Sequence, residues 1–155
     1  MEQVLRNVQP SLHRFILRLV GPTAAEDVLQ DVLITIARKL SWLEEPLLFR
    51  AWAYRIASRA AFAHLRRERR RGLQETTDEV LEALVAPVSR PSDERLRQPL
   101  DSAVLSPASR AVLMLHLRED MPLAEVAAVL EIPVGTVKSR LAYGLTALRR
   151  HFADK

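Results

Sequence analysis

Apolar residues return at helical intervals along most of this chain, and the sharpest instance lies near its C-terminal end. Val137, Leu141, Leu145 and Leu148 stand at i, i+4, i+8 and i+11, one stripe of a 3.6-residue period. Ahead of it, Leu123 to Leu130 predicts a shorter helix with Val126 and Leu130 as its apolar edge and Ala127 small enough to admit a neighbour. Pro133 cannot continue that helix but suits the start of the next, where its missing N–H has no partner to lose. Two short helices joined by a tight turn predict a helix-turn-helix, whose second helix lies in a DNA major groove. At about 100° per residue, Ser139 and Tyr143 point away from the stripe, with Lys138 and Arg140 on its flanks. Together with Thr136 these hydroxyls and cations could bond phosphates and base edges. A plain helical hairpin with a solvated outer face shows the same pattern, so the hairpin alone leaves both readings open.

The rest of the chain is also helical in pattern. An opening helix is predicted from about Glu2 to Val20, anchored by Leu5, Leu12, Phe15, Ile16 and Leu19 and split by Pro10. Gly21-Pro22 ends it. Thr23 and Glu26 stand in capping-box spacing before a second helix, Ala24 to Leu40. A loop from Ser41 to Pro46 carries Trp42, and a third helix runs from Phe49 to Arg70, stopped by Gly72. Pro87, Pro91 and Pro99 then interrupt the pattern, which reads as a linker over 73–103 with one short helix near Asp78 to Val85. Such a segment could span on the order of 100 Å if extended. Ser106-Pro107 opens a further helix to Leu117, with Val112, Leu113 and Leu115 on its apolar side. The expected class is therefore all-α: a three-helix domain over 1–72, an acidic linker over 73–103 and a helix-turn-helix domain over 104–155.

Charge sharpens this division. Of the 155 residues, 1–72 hold 13 Lys or Arg against 7 Asp or Glu, 73–103 hold 3 against 7, and 104–155 hold 7 against 5. Two basic blocks thus flank an acidic connector. Arginine supplies most of the positive charge, and it suits bidentate phosphate contacts and stacking on bases better than lysine does. The chain has no cysteine, which fits a reducing compartment. It has no apolar run of membrane-spanning length and no signal-peptide core, so a cytoplasmic protein without membrane insertion is expected.

Two faces in the first block carry candidate chemistry. Asp27, Gln30 and Asp31 form one acidic–amide patch on the second helix. Acids in a first turn complement the helix dipole, which accounts for Glu26 and less well for Asp31; a basic partner is the other reading. On the third helix Arg55, Arg59, Phe62 and Arg66 share one face, with Trp52 at its edge as a core residue. Arg67, Arg69, Arg70 and Arg71 extend the charge, and so dense a run repels itself unless a polyanion is near. Cations interleaved with an aromatic suit single-stranded nucleic acid, a charged track beside a stacking platform. His13, His64, His116 and His151 are scattered, at surface or partly packed positions, with no metal-ligand spacing. No phosphate loop, nucleophile elbow or carboxylate pair points to catalysis, a metal or another cofactor.

Read in order, these segments resemble the extracytoplasmic-function sigma factors of bacterial RNA polymerase, over nearly the whole chain. The resemblance is carried by Ala25-Glu26-Asp27-Val28-Leu29-Gln30-Asp31-Val32, Ala51-Trp52-Ala53-Tyr54-Arg55-Ile56-Ala57, His64-Leu65-Arg66-Arg67, Leu105-Ser106-Pro107 and Pro133-Val134-Gly135-Thr136-Val137-Lys138-Ser139-Arg140-Leu141. It implies a binding protein rather than an enzyme. Asp27, Gln30 and Asp31 would dock on the clamp helices of the largest subunit of core RNA polymerase. The Ser41 to Phe49 loop with Trp42, and the helix bearing Arg55, Arg59, Phe62 and Arg66, would recognise and melt the −10 promoter element and trap a flipped base. Thr136, Lys138, Ser139, Arg140 and Tyr143 would contact the −35 element, the acidic linker would thread the polymerase channels, and an anti-sigma protein is a further partner. Three departures stand out: a short N-terminus in which the usual first helix is wholly or partly missing, Arg59 where asparagine is frequent, and Glu131 in place of a turn glycine. The alternatives are a stand-alone helix-turn-helix regulator, which would make no use of the acidic patch, and a nucleic-acid-modifying enzyme, for which no constellation is visible.

Overall fold

The computed structural model describes residues 2–71 and 104–153, and every regular element among them is helical. The chain divides between Glu75 and Thr76 into two compact units. The expected linker over 73–103, its short helix and the stop at Gly72 lie outside the described residues.

In the first unit α1 (Glu2–Val20), α2 (Pro22–Lys39) and α3 (Phe49–Arg70) each pack on the other two. α1 runs unbroken through Pro10, against the expected split. An interior proline removes a hydrogen bond and crowds the preceding turn, at a cost of about 3 kcal/mol. Pro10 and Arg6, whose carbonyl loses its donor, are both exposed, so water can take that bond. Leu12, Phe15, Ile16 and Leu19 are buried beyond the proline and hold the helix in place. At about 1.5–3 kcal/mol for each such side chain, their burial outweighs the break.

Gly21 joins α1 to α2. At φ 87° its N–H bonds to the Leu17 carbonyl (2.9 Å) while its own carbonyl accepts from Ala25 (3.1 Å). The capping box expected of Thr23 and Glu26 does not form. Pro22 opens α2 two residues earlier than expected, which puts Thr23 inside the first turn and leaves Gly21 as a cap without a side-chain bond. The same shift moves Glu26 and Asp27 past the first turn, where the helix dipole no longer accounts for them. Between α2 and α3 the chain makes two 3-10 turns, Leu40–Trp42 and Pro46–Leu48, where a plain loop was expected. α3 keeps its expected bounds and buries Ala53, Tyr54, Ala57, Ser58, Ala61 and Leu65. The Tyr54 ring meets Phe15 edge-on, with centroids 5.3 Å apart.

The second unit is built from α4 (Pro107–Leu113), α5 (Leu123–Leu130) and α6 (Val134–Ala153). Ser106 caps α4, its hydroxyl accepting from the Ser109 N–H at 3.2 Å. The α-helix expected through Leu117 changes at Met114 into one π-helical turn, Met114–Arg118, in which the Glu119 N–H bonds to the Met114 carbonyl at 3.1 Å. Ala111 to Leu117 are all buried, so this segment faces protein on every side. His116 is among them, more enclosed than its expected partly packed role. Its Nδ1 lies 2.7 Å from the Met121 carbonyl, which requires the proton on that nitrogen.

The stripe Val137, Leu141, Leu145 and Leu148 is buried on α6, widened by Ala142 and Gly144. Pro133 sits one residue ahead of α6, where its carbonyl accepts from Thr136 and Val137 at 3.0 and 3.1 Å. The turn before it needs a left-handed residue, and Glu131 takes that conformation at φ 58°, ψ 46°. Left-handed backbone costs a side-chain-bearing residue about 1–2 kcal/mol, part of which glycine would forfeit through its freer unfolded chain. Glu131→Gly is therefore expected to stabilise the chain by about 0.5–1 kcal/mol, and Glu131→Val to destabilise it. Urea denaturation followed by circular dichroism checks both; a less stable glycine variant contradicts the account.

Candidate nucleic-acid interface

The outer side of α6 is set by what its inner side buries. Lys138 is exposed, and Thr136, Ser139, Arg140 and Tyr143 are partly exposed. The Ser139 hydroxyl donates to the Gly135 carbonyl at 3.1 Å, so in this arrangement its lone pairs face outward as acceptors. A Cβ added at Gly135 would meet nothing within 4 Å, which leaves the backbone at the start of the helix open to close approach. Val134, exposed at the same helix start, was not among the expected contacts. Its spacing to Val137 and Leu141, at i+3 and i+7, reads as a continuation of the inner stripe, and only its place at the helix entry beside Pro133 signals exposure.

On α3 the arginine face is real as geometry. Arg59 and Arg66 are exposed, and Arg55 and Phe62 are partly so. The Arg55 Nε is buried without a hydrogen-bond partner among the described residues, a group with bonding capacity to spare. Trp52 departs from the core role expected of it: it is only half-buried, its ring tilted against Phe49 at 6.0 Å. Trp42 is 74% exposed in its 3-10 turn, separate from the helix face. Leu47 and Leu48, missed in the sequence, are 89% and 58% exposed in the turn that runs directly into α3. That turn is tied by Glu45, whose carboxylate accepts from the Leu47 N–H at 3.2 Å. Large apolar side chains held in water on a tied turn make it a candidate contact surface.

Asp27, Gln30 and Asp31 are all exposed on α2. Because the helix starts earlier than expected, its dipole does not explain them, and among the described residues no ion pair or hydrogen bond holds their side chains. Each unit thus carries its own candidate surface: the acidic patch, arginine face and aromatic turn on the first, the outer side of α6 on the second. Among the described residues no three His, Cys, Asp or Glu are placed to hold a metal ion.

The family comparison divides the chain into two parts that fall one in each unit. The profile for Sigma-70 region 2 matches residues 4–71, which hold α2, α3 and all but the first two residues of α1, and that for Sigma-70 region 4 matches residues 103–150, which hold α4, α5 and all but the last three residues of α6. The RNA polymerase sigma-E factor of Streptomyces coelicolor is 34% identical over 164 residues, covering 99% of this chain and 86% of the relative. The chain belongs to the ECF family of RNA polymerase sigma factors. Another relative of this sigma factor, SigW of Bacillus subtilis, is 26% identical over 92% of this chain and 83% of its own. Among solved structures it is similar to the sigma factor RpoE of Bartonella quintana, determined with the anti-sigma factor NepR, at a TM-score of 0.74 and 25% identity over 98% of this chain and 96% of that one.

For this sigma factor the exposed Lys138 offers a clean measurement. Lys138→Ala is expected to weaken duplex binding and lower the slope of log affinity against log salt by about one. Fluorescence anisotropy on promoter DNA across a salt series reads both, and an unchanged slope removes Lys138 from the phosphate contacts.

Proposed function

We propose that this sigma factor binds core RNA polymerase through Asp27, Gln30 and Asp31, reads the −35 element through Thr136, Lys138, Ser139, Arg140 and Tyr143, and melts and holds the −10 strand with Trp42, Arg55, Arg59, Phe62 and Arg66. Residues 1–72 and 104–155 act as the two binding domains and 73–103 as the acidic linker between them. The observation that carries the reading is that these faces are exposed together while the cores are built from other residues. A Trp42 left in water is explained by a base that stacks on it, and the arginines of α3 by the phosphates beside that base. The protein acts by binding, with no reaction of its own, and works in the cytoplasm beside polymerase. No described helix is long and apolar enough to cross a membrane. The RpoE relative is held by NepR, and by likeness an anti-sigma protein is a further partner here. A stand-alone regulator is not favoured, because it leaves the region 2 match over residues 4–71 without a task.

Reconstituted transcription tests the proposal. Core polymerase with this chain should initiate at promoters of its host that core alone ignores, and Asp31→Arg should abolish that activity. Arg55→Ala and Arg66→Ala should each lower the yield of opened promoter on the order of tenfold, read by permanganate reactivity, while duplex binding stays intact. Full opening by both variants would exclude the arginine face from strand capture.

A further inference from the structure

We propose that Val134, at the entry of α6, reads the C5-methyl group of a thymine in the −35 element. This rests on the reading of α6 as the −35 contact, and it adds a specificity-determining residue to the polar ones assigned there. Pro133, Val134 and Gly135 are consecutive and exposed, and none of them has a polar side-chain atom. A helix that carries its hydroxyls and cations from Thr136 to Tyr143 thus leads with an apolar tip.

The fold makes no use of this tip. By register Val134 belongs to the inner stripe, with Val137 and Leu141 following at i+3 and i+7. Those two are buried while Val134 is 39% exposed, so the core stops one turn short of the helix start. Gly135 is as little required by the unit that contains it. Its φ lies outside the left-handed region, and a Cβ built on it would meet nothing within 4 Å. Gly144 shows the contrast, since a Cβ there would lie 2.7 Å from the Leu113 Cδ1. Both valine and glycine are poorer helix formers than alanine. What they leave at the helix entry is a branched apolar side chain beside bare backbone, open to the close approach of a flat surface.

A thymine edge answers this tip better than other partners. Recognition helices present their N-terminal residues to base edges, and in the major groove only thymine offers an apolar group. Lys138 follows Val134 at i+4, and Ser139 follows Gly135 at i+4, so a cation and a hydroxyl continue the two rows that the tip begins. They can hold phosphate and the neighbouring bases while Val134 meets the methyl group. A protein partner would want a longer apolar strip. Along α6 the next large apolar side chain left exposed is Phe152, about 27 Å further on.

The test uses holoenzyme, core polymerase with the full chain, and a duplex promoter that it selects from a pool randomised over the −35 element. Each thymine of the selected element is replaced in turn by deoxyuridine, which keeps the base pair and lacks the methyl group, and affinity is read by fluorescence anisotropy. At one thymine the parent protein is expected to lose about fourfold, the worth of one buried methyl group. Val134→Ala is expected to bind the thymine duplex about three- to fivefold more weakly and to bind both duplexes alike. Alanine is the better helix former, so misfolding does not account for that loss. Gly135→Ala is expected to raise Tm and yet weaken duplex binding about tenfold, because the added Cβ holds the helix off the base edges. Lys138→Ala is the control for the helix and should weaken both duplexes equally. If it does so while Val134→Ala keeps the parent's preference for thymine, or the parent prefers thymine nowhere, the methyl contact is overturned and the reading of α6 stands. Unchanged binding by Gly135→Ala also overturns it, since the helix entry then stays clear of the bases. So does a Val134→Ala loss that appears in assembly with core polymerase before DNA is added, which makes the partner a protein. If Lys138→Ala changes neither duplex, the reading of α6 fails and takes Val134 with it.

Discussion

One helix in each unit turns residues with almost no side chain toward its neighbours. On α3 this side holds Ala53, Ala57 and Ala61, each fully buried, together with Leu65 and with Tyr54, whose ring meets Phe15 of α1. On α6 the same part is played by Gly144, where an added Cβ would lie 2.7 Å from the Leu113 Cδ1. Leu113 is itself fully buried and has little room to give. A seam of small residues brings backbones close and buries a helix on a narrow strip. Each unit is small, near the size at which one core barely suffices, so the tightness of that strip decides whether it folds.

A narrow seam also frees most of the helix perimeter for other work. α3 spends little of its circumference on the core, and for this reason it can carry an arginine face on its outer side. α6 divides the same way, with its large apolar stripe inward and its hydroxyls and cations outward. The exposed turn before α3 is the exception, because it holds Leu47 and Leu48 in water through a carboxylate-to-backbone bond and a proline rather than through packing. Local bonds of this kind keep a loop shaped while leaving its side chains for a ligand.

What the sequence disclosed follows from the same physics. Val137, Leu141, Leu145 and Leu148 announce the inner side of α6, since large apolar residues at helical spacing form a stripe that water disfavours and a core must cover. The seam on α3 was hidden, because alanine favours helices whether it is buried or exposed. Thr23 and Glu26 suggested a cap that Pro22 forestalled by opening α2 earlier, and Pro10 suggested a break that burial further along α1 overrode. The π turn and the enclosure of His116 had no local signature, since they depend on α4 being surrounded. The exposed residues of the candidate site were visible as residue types. Which acids are accounted for by the helix dipole could be settled only once the helix start was known.

The arrangement of charge on the first unit has a consequence for assembly. α3 presents Arg55, Arg59 and Arg66 on its outer side and Glu68 in the row of its inner side, so opposite charges are separated across a single helix. Asp27, Gln30 and Asp31 add to the acidic side from α2. A body of this kind meets a polyanion and a basic protein with different faces, and each partner is repelled by the face meant for the other. Complementary fields of this sort contribute more to orientation and to the rate of encounter than to affinity. In the proposed role that is the useful property. A sigma factor must bring DNA and polymerase together in one relative pose, and a bipolar unit disfavours the reversed one before any close contact forms. It also follows that salt should act on the two encounters in the same direction, because both draw on exposed charge, while the partly enclosed carboxylate of Glu68 should be screened less than the open arginines across the helix.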